Sequence, residues 1–168
     1  HLSIRRQRQM CIRDSLRRSQ ADAILAGTGT VAADNAELTA RLPDGSYCPT
    51  QPLRVVLGER DLDLSLRVFN DKAETLHLRT RNIHGALAEL WARGIKHVFV
   101  EGGPEVASQF ERLNLVDEYL LYLAPVLLGG DRVTLNDIGV GSMPSAHRLE
   151  ILEQRMLGQD IFIRARRS

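Results

Sequence analysis

The chain has 168 residues, 43% hydrophobic and 26% charged, with 22 basic against 21 acidic side chains for a formal net charge of +1. That length supports one domain with a sizeable core, and the composition is that of an ordinary globular protein, which argues against disorder. No apolar run approaches the roughly 20 residues that cross a bilayer, and the balanced charge draws the chain to neither nucleic acid nor anionic lipid.

Residues 1–14, which run into RQRQMCIRDS, carry no helical or strand period that continues into the rest of the chain, and are expected to be non-native or disordered. The arginine-rich ends, the first 19 residues and RARRS, read as solvated termini. From Ser15 the signals become regular. DAILA at 22–26 is a short apolar run that ends in Gly27 and TGT, a buried strand running into a turn. LRVVLG at 53–58 repeats that pattern after Pro52, and RVF and TLHLR between 67 and 79 are short strand candidates. IHGALAELWARG at 83–94 places Ile83, Leu87, Leu90 and Trp91 on one helical face, with Gly94 as its stop. HVFVEGG at 97–103 is a further buried strand, and Pro104 opens a second helix, PEVASQFERL. EYLLYLAPVLLGG reads as a long β run, and RLEILEQRMLG with DIFIRARR as a terminal hairpin around Gly158 and Gln159. Strands and helices that alternate and then give way to strands alone predict an α/β fold. One mixed, mostly parallel sheet is expected, flanked by helices and closed by an antiparallel hairpin.

Two turns carry the chemical signal. VEGGPEVASQ at 100–109 takes a strand into a helix through two glycines. That geometry either admits a pyrophosphate to backbone N–H groups at a helix N-terminus or serves the backbone alone. GTGTVAAD at 27–34 is a second such turn, but Ala32 stands where the dinucleotide fingerprint needs a third glycine. Thr30 there reads equally as an N-cap of a short helix. Both turns follow strands at what looks like one carboxyl edge, the side on which open α/β sheets bind ligands. Zinc-deaminase, P-loop, GxSxG and HExxH motifs are absent, so no metal is expected. The five histidines read as surface or structural residues. Cys11 and Cys48 have no ligand spacing, and no secretory signal precedes them, as expected of a reduced cytoplasmic protein. Without a nucleophile or metal, redox chemistry on a bound cofactor is the better expectation.

Taken together, LRRSQADAILAGTGTVAADNAELTAR, QPLRVVLG, VFVEGGPEVASQF, LVDEYLLYLAPVLLGG and the closing hairpin resemble the C-terminal reductase domain of the bifunctional riboflavin biosynthesis deaminase/reductase. The likeness runs from about residue 16 to the C-terminus, so residues 15–168 are read as the reductase domain. It implies a dihydrofolate reductase-like fold and a cytoplasmic bacterial homodimer with a deaminase domain fused upstream. The implied reaction is NADPH-dependent reduction of 5-amino-6-(5-phosphoribosylamino)uracil to its ribitylamino form. By the same resemblance Arg18, Leu38 and Arg41 contact this small-molecule substrate, with Arg18 offering a fork to its phosphate. Glu101 contacts it near the ribose, as the catalytic candidate that orients the hydroxyls. Thr30, Asp34 and Glu59, together with Gly103, Pro104, Glu105, Val106, Ala107, Ser108 and Gln109, are implied to hold the cofactor. Arg79, Thr80 and Arg81 read either as partners of its 2′-phosphate or as surface charges.

The sequence departs from the family at Asn35 and Ala36, where aspartate and proline are usual. It departs further before Arg18, where RQRQMCIRDS replaces an S-x-W-I-T segment and a central strand. The expectation is an exposed gap in the sheet, poor folding and little activity. Two alternatives stay open: a reductase of the same fold acting on another pteridine or pyrimidine, and a nucleotide-binding module without catalysis.

Overall fold

A computed structural model describes residues 15, 17–127, 129 and 133–168. The expectations for residues 1–14, including the replaced first strand and Cys11, lie outside the described residues. The chain divides after Ala107 into two compact units.

The first unit is built on a parallel sheet. Strands β1 (Ala23–Gly27), β2 (Leu53–Leu57), β3 (Thr75–Leu78) and β4 (Val98–Val100) lie in the order β3-β2-β1-β4. All five residues of β1 are buried, as are four of the five in β2, as expected of parallel strands covered on both faces. Helix α1 (Thr28–Asp34) follows β1 without a linker. It sends Val31 into a core with Ile24, Ala26, Leu38, Val56 and Val68. Helix α2 (Ile83–Ala92) is capped by the Asn82 side chain, which accepts from the Gly85 amide at 3.0 Å. It ends in a Schellman motif, in which the amides of Gly94 and Ile95 bond the carbonyls of Trp91 and Leu90 and Gly94 takes φ +82°.

The mostly parallel central sheet and the closing antiparallel hairpin are as expected, with the strands hydrogen-bonded as two sheets among the described residues. RVF is not the expected strand: Arg67–Phe69 is one 3₁₀ turn, closed by the Phe69 and Asn70 amides on the carbonyls of Leu66 and Arg67. Trp91 does not join the buried face as expected, because the stripe that packs is Ile83, Ala86 and Leu90 and the tryptophan, one position further round, is 68% exposed.

The second sheet belongs to the second unit. Strands β5 (Tyr119–Leu123), β6 (Leu149–Leu157) and β7 (Asp160–Arg167) are antiparallel in the order β5-β7-β6. The expected long run EYLLYLAPVLLGG stops at Leu123, two residues before Pro125, whose missing N–H cannot continue a ladder. The terminal hairpin forms where anticipated, with Leu157 opposite Asp160 and Gly158 at φ +70° in the turn. RARR is no loose terminus either, since it lies in β7, where Arg164 pairs with Glu118 and Arg166 with Glu150. Helix α3 (Pro104–Arg112) leads into this unit, and its Glu111 carboxylate accepts from the Tyr119 hydroxyl and from His147 Nδ1. Burial pushes the Glu111 carboxyl up, but those two hydrogen bonds outweigh it and hold the group below its ordinary range. Burial and the same carboxylate push the Tyr119 phenol up.

Candidate functional site

The register of the parallel sheet fixes what meets at its carboxyl edge. Gly27 lies beside Leu57 and Leu25 beside Val100, so the turn after β1, Gly58 after β2 and Glu101–Gly103 after β4 emerge at one end. They are in contact. The Thr30 hydroxyl accepts from the Gly103 amide at 3.2 Å, which joins the two glycine turns directly. Thr30 is therefore not the helix N-cap: α1 begins two residues earlier, with Gly27 at the cap position and no side-chain cap bond.

The glycines have packing reasons of their own. A Cβ on Gly102 would stand 2.5 Å from Val106 Cβ, and one on Gly58, at φ +134°, would stand 2.6 Å from Thr28 Oγ1. At Gly29 the opposite holds, since nothing lies within 4 Å of a Cβ built there. The first turn of α1 is thus open beside Thr30 and Gly103, which fits the close approach of a flat or phosphate-bearing cofactor to backbone. Within 103–109, Val106 is buried and Glu105 is exposed. The Ser108 hydroxyl is also buried and accepts from the Asn136 amide at 2.7 Å. Val106 and Ser108 can therefore serve a ligand only through backbone. Asp34 closes α1 on the exposed side. Glu59 pairs with Arg81 at 3.1 Å, and Arg79 is bonded to Asp61, so both arginines already have acidic partners.

Arg18 and Glu101 come together. Arg18 donates from Nε and Nη2 to the two carboxylate oxygens of Glu101, both at 2.6 Å, and from Nη1 to the Thr39 carbonyl at 3.1 Å. This is a fork-to-fork pair, about one-fifth exposed on each side. Glu101 retains acceptor capacity on both oxygens beyond the arginine. Leu38 does not present its side chain to that space, because it is 3% exposed in the core. Its backbone sits at φ +54°, an uncommon conformation for a leucine, and the next carbonyl is the one that Arg18 takes.

Arg41 belongs to a separate cluster centred on Glu37, which the residue pattern did not single out. Glu37 Oε2 accepts from Arg41 Nη2 at 2.5 Å and Arg67 Nη2 at 2.6 Å. Its Oε1 accepts from the Tyr47 hydroxyl at 2.8 Å and Asn70 Nδ2 at 2.6 Å. Burial pushes this carboxyl up, but the bonds from Tyr47, Asn70 and Arg41 and the nearby charge of Arg67 prevail and bring it down to about 2. Behind it lies Arg54 of β2, fully buried, which donates to Asn70 Oδ1 at 2.8 Å and to the carbonyls of Asn70 and Ala73. No group of histidine, cysteine and acidic side chains that could hold a metal occurs among the described residues.

Against known proteins, residues 13–163 match the family described as the RibD C-terminal domain. The chain is 45% identical to the riboflavin biosynthesis protein RibD of Mycobacterium tuberculosis over 147 residues, 88% of this chain and 43% of that protein. It is 32% identical to the 2,5-diamino-6-ribosylamino-4(3H)-pyrimidinone 5′-phosphate reductase of Archaeoglobus fulgidus, over 67% of this chain and 66% of that one. Among solved structures it resembles RibD of Acinetobacter baumannii with a TM-score of 0.83 at 25% identity, over 95% of this chain and 51% of that chain. The deaminase/reductase of Thermotoga maritima gives a TM-score of 0.75 at 25% identity, over 93% and 48%. The chain spans about half the length of the RibD proteins it matches.

Proposed function

We propose, from the premise that this chain belongs to the RibD C-terminal domain family, that it reduces the ribose of 5-amino-6-(5-phosphoribosylamino)uracil to the ribitylamino form, using NADPH. When bound, NADPH supplies hydride to the first ribose carbon in its ring-opened, imine-like state, and the attached nitrogen takes a proton. The chain's own part is positioning. Thr30 and Gly103 line the cofactor wall together with the open turn at Gly29, and the segment to Gln109 continues that wall. Glu101, held in one orientation by the Arg18 fork, accepts from ribose hydroxyls at the end of β4. The reading includes a deaminase domain upstream in the native gene and a homodimer in the cytoplasm.

The observation that carries this reading is the Arg18–Glu101 pair beside the two joined glycine turns, because it sets a charge-ordered polar group against a backbone-lined opening. The test is loss of NADPH absorbance with the phosphoribosylamino substrate, against NADH as the alternative donor. Glu101→Gln should lower kcat by about 100-fold, the scale of a lost positioning or proton-handling group, while NADPH still quenches protein fluorescence. Quenching without turnover in the unaltered protein would favour a nucleotide-binding module and sink the reading. A second substrate has support from the Archaeoglobus fulgidus relative, whose name specifies the diamino pyrimidinone phosphate. Comparing kcat/KM for the two pyrimidines decides between them.

A further inference from the structure

We propose that Arg67 is a second arginine of the substrate's phosphate subsite, held beside Arg41 by a shared bond to Glu37, so that two guanidiniums face a phosphate monoester. The inference rests on the proposed reaction and on the resemblance that assigns Arg41 to substrate, and it moves the phosphate from Arg18, whose fork is taken by Glu101 in the structure, to Arg41. Arg67 and the positioning role of Glu37 are what the geometry adds.

Both arginines donate an Nη2 hydrogen to the same oxygen, Glu37 Oε2, so their charged heads are held next to one another. They are nevertheless open to solvent on their other sides, with side chains 34% and 56% exposed, whereas the carboxylate between them is 8% exposed. Arg67 donates its backbone amide to Asn35 Oδ1, which fixes the base of the side chain, and its Nε and Nη1 make no hydrogen bond among the described residues. Arg41 is braced differently, by the Gly45 carbonyl at 3.1 Å and by stacking on the Tyr47 ring at 4.3 Å. The result is two restrained guanidiniums with donors to spare.

Charge supports an anion there. Arg54 lies buried behind the cluster with carbonyl and amide partners but no carboxylate bonded to it, and its Nε has no partner among the described residues. Three guanidiniums and Lys72 against the carboxylates of Glu37 and Asp71 leave two positive charges, which a phosphate monoester dianion matches. Arginine also suits the task better than lysine, because its planar fork meets two phosphate oxygens at once.

The test compares the intact chain with Arg67→Ala, Arg67→Lys and Glu37→Gln, taking Arg93→Ala on α2 as an exposed control paired only with Glu89. Steady-state turnover and inhibition by inorganic phosphate are measured together. Arg67→Ala should raise both KM and the phosphate inhibition constant by roughly tenfold, the effect of losing one charge-assisted contact, with a smaller change in kcat. Arg67→Lys should recover part of that loss, and Glu37→Gln should raise KM by releasing both arginines. Arg93→Ala should leave both constants unchanged. KM and phosphate inhibition that stay unchanged in a turning-over Arg67→Ala variant would overturn the subsite and leave the proposed reaction standing. Should the intact chain oxidise no NADPH with either pyrimidine, the increase in Tm given by inorganic phosphate becomes the readout. Its loss in Arg67→Ala would then support the subsite while the proposed reaction fails.

Discussion

Glu37 is a single residue on which four others depend, and its acidity makes that dependence measurable. A carboxyl held at about 2 in the folded chain against an ordinary 4.5 contributes on the order of 3 kcal/mol at neutral pH. Because the folded value is the depressed one, the contribution is complete above about 4.5 and is lost as pH falls through about 2. Glu37→Gln should therefore be less stable than the parent chain at neutral pH by an amount of that order, with the gap closing between pH 4.5 and 2. Urea unfolding of both proteins across that range checks it, and a gap independent of pH would show that shape and not charge makes the contribution. Arg18, Arg41 and Glu101 stand inside the segments that carry the family resemblance, and the structure pairs the first with the last. The role of Glu37 is not legible in the sequence, since its partners Tyr47, Arg67 and Asn70 come from loops up to 33 residues away, and no local period reports such a meeting. Arg54 is equally silent: in LRVVL it looks like a polar interruption of a buried strand, and the Asn70 side chain with the carbonyls of Asn70 and Ala73 explains it.

At the scale of elements, the approach of Val106, in the first turn of α3, to the ends of β1 and β4 is set by glycine. Val106 lies 2.8 Å from where a Gly27 Cβ would stand and closer still to one on Gly102, and it is itself buried. Gly27→Ala should cost about 1–3 kcal/mol by overpacking, since its Cβ would meet the Val106 Cγ2 methyl at 2.8 Å. In the double variant with Val106→Ala part of that cost should be recovered, because that methyl is gone. Thermal unfolding of the two single variants and the double variant gives the coupling directly, and strict additivity would place the origin of the glycine elsewhere. The strands that the sequence makes plain are those with uninterrupted apolar runs, β1 and β2, and the hairpin pair with glycine between them. RVF and the C-terminal part of EYLLYLAPVLLGG mislead because apolar content without length, or with Pro125 inside it, satisfies composition but not a hydrogen-bonded ladder. Trp91 misleads for a related reason, since a helix ten residues long shows a core only one narrow face, and Ala86 fills the place that size alone would give to tryptophan.

At the scale of the molecule, the two sheets each have protected strands and outer ones. In the first unit β1 is bonded on both sides and wholly buried, while β4 has β1 alone as its partner among the described residues and its three residues are only half-buried. In the second unit β7 lies between β5 and β6, and β6 leaves Ile151 and Met156 more than half exposed on an outer strand. Amide exchange tracks local opening, so the slowest amides should be those of β1, β2 and β7, with β3, β4 and β6 faster by at least about tenfold. The β4 amides that point away from β1 are the informative ones. If they exchange as fast as those of an ordinary loop, the parallel sheet ends at β4 in solution. Protection equal to that of β1 would mean that another strand covers this edge, and repeating the measurement at a series of protein concentrations would separate the two sources. Protection that rises with concentration assigns the covering strand to a second copy, and protection that does not change assigns it to this chain.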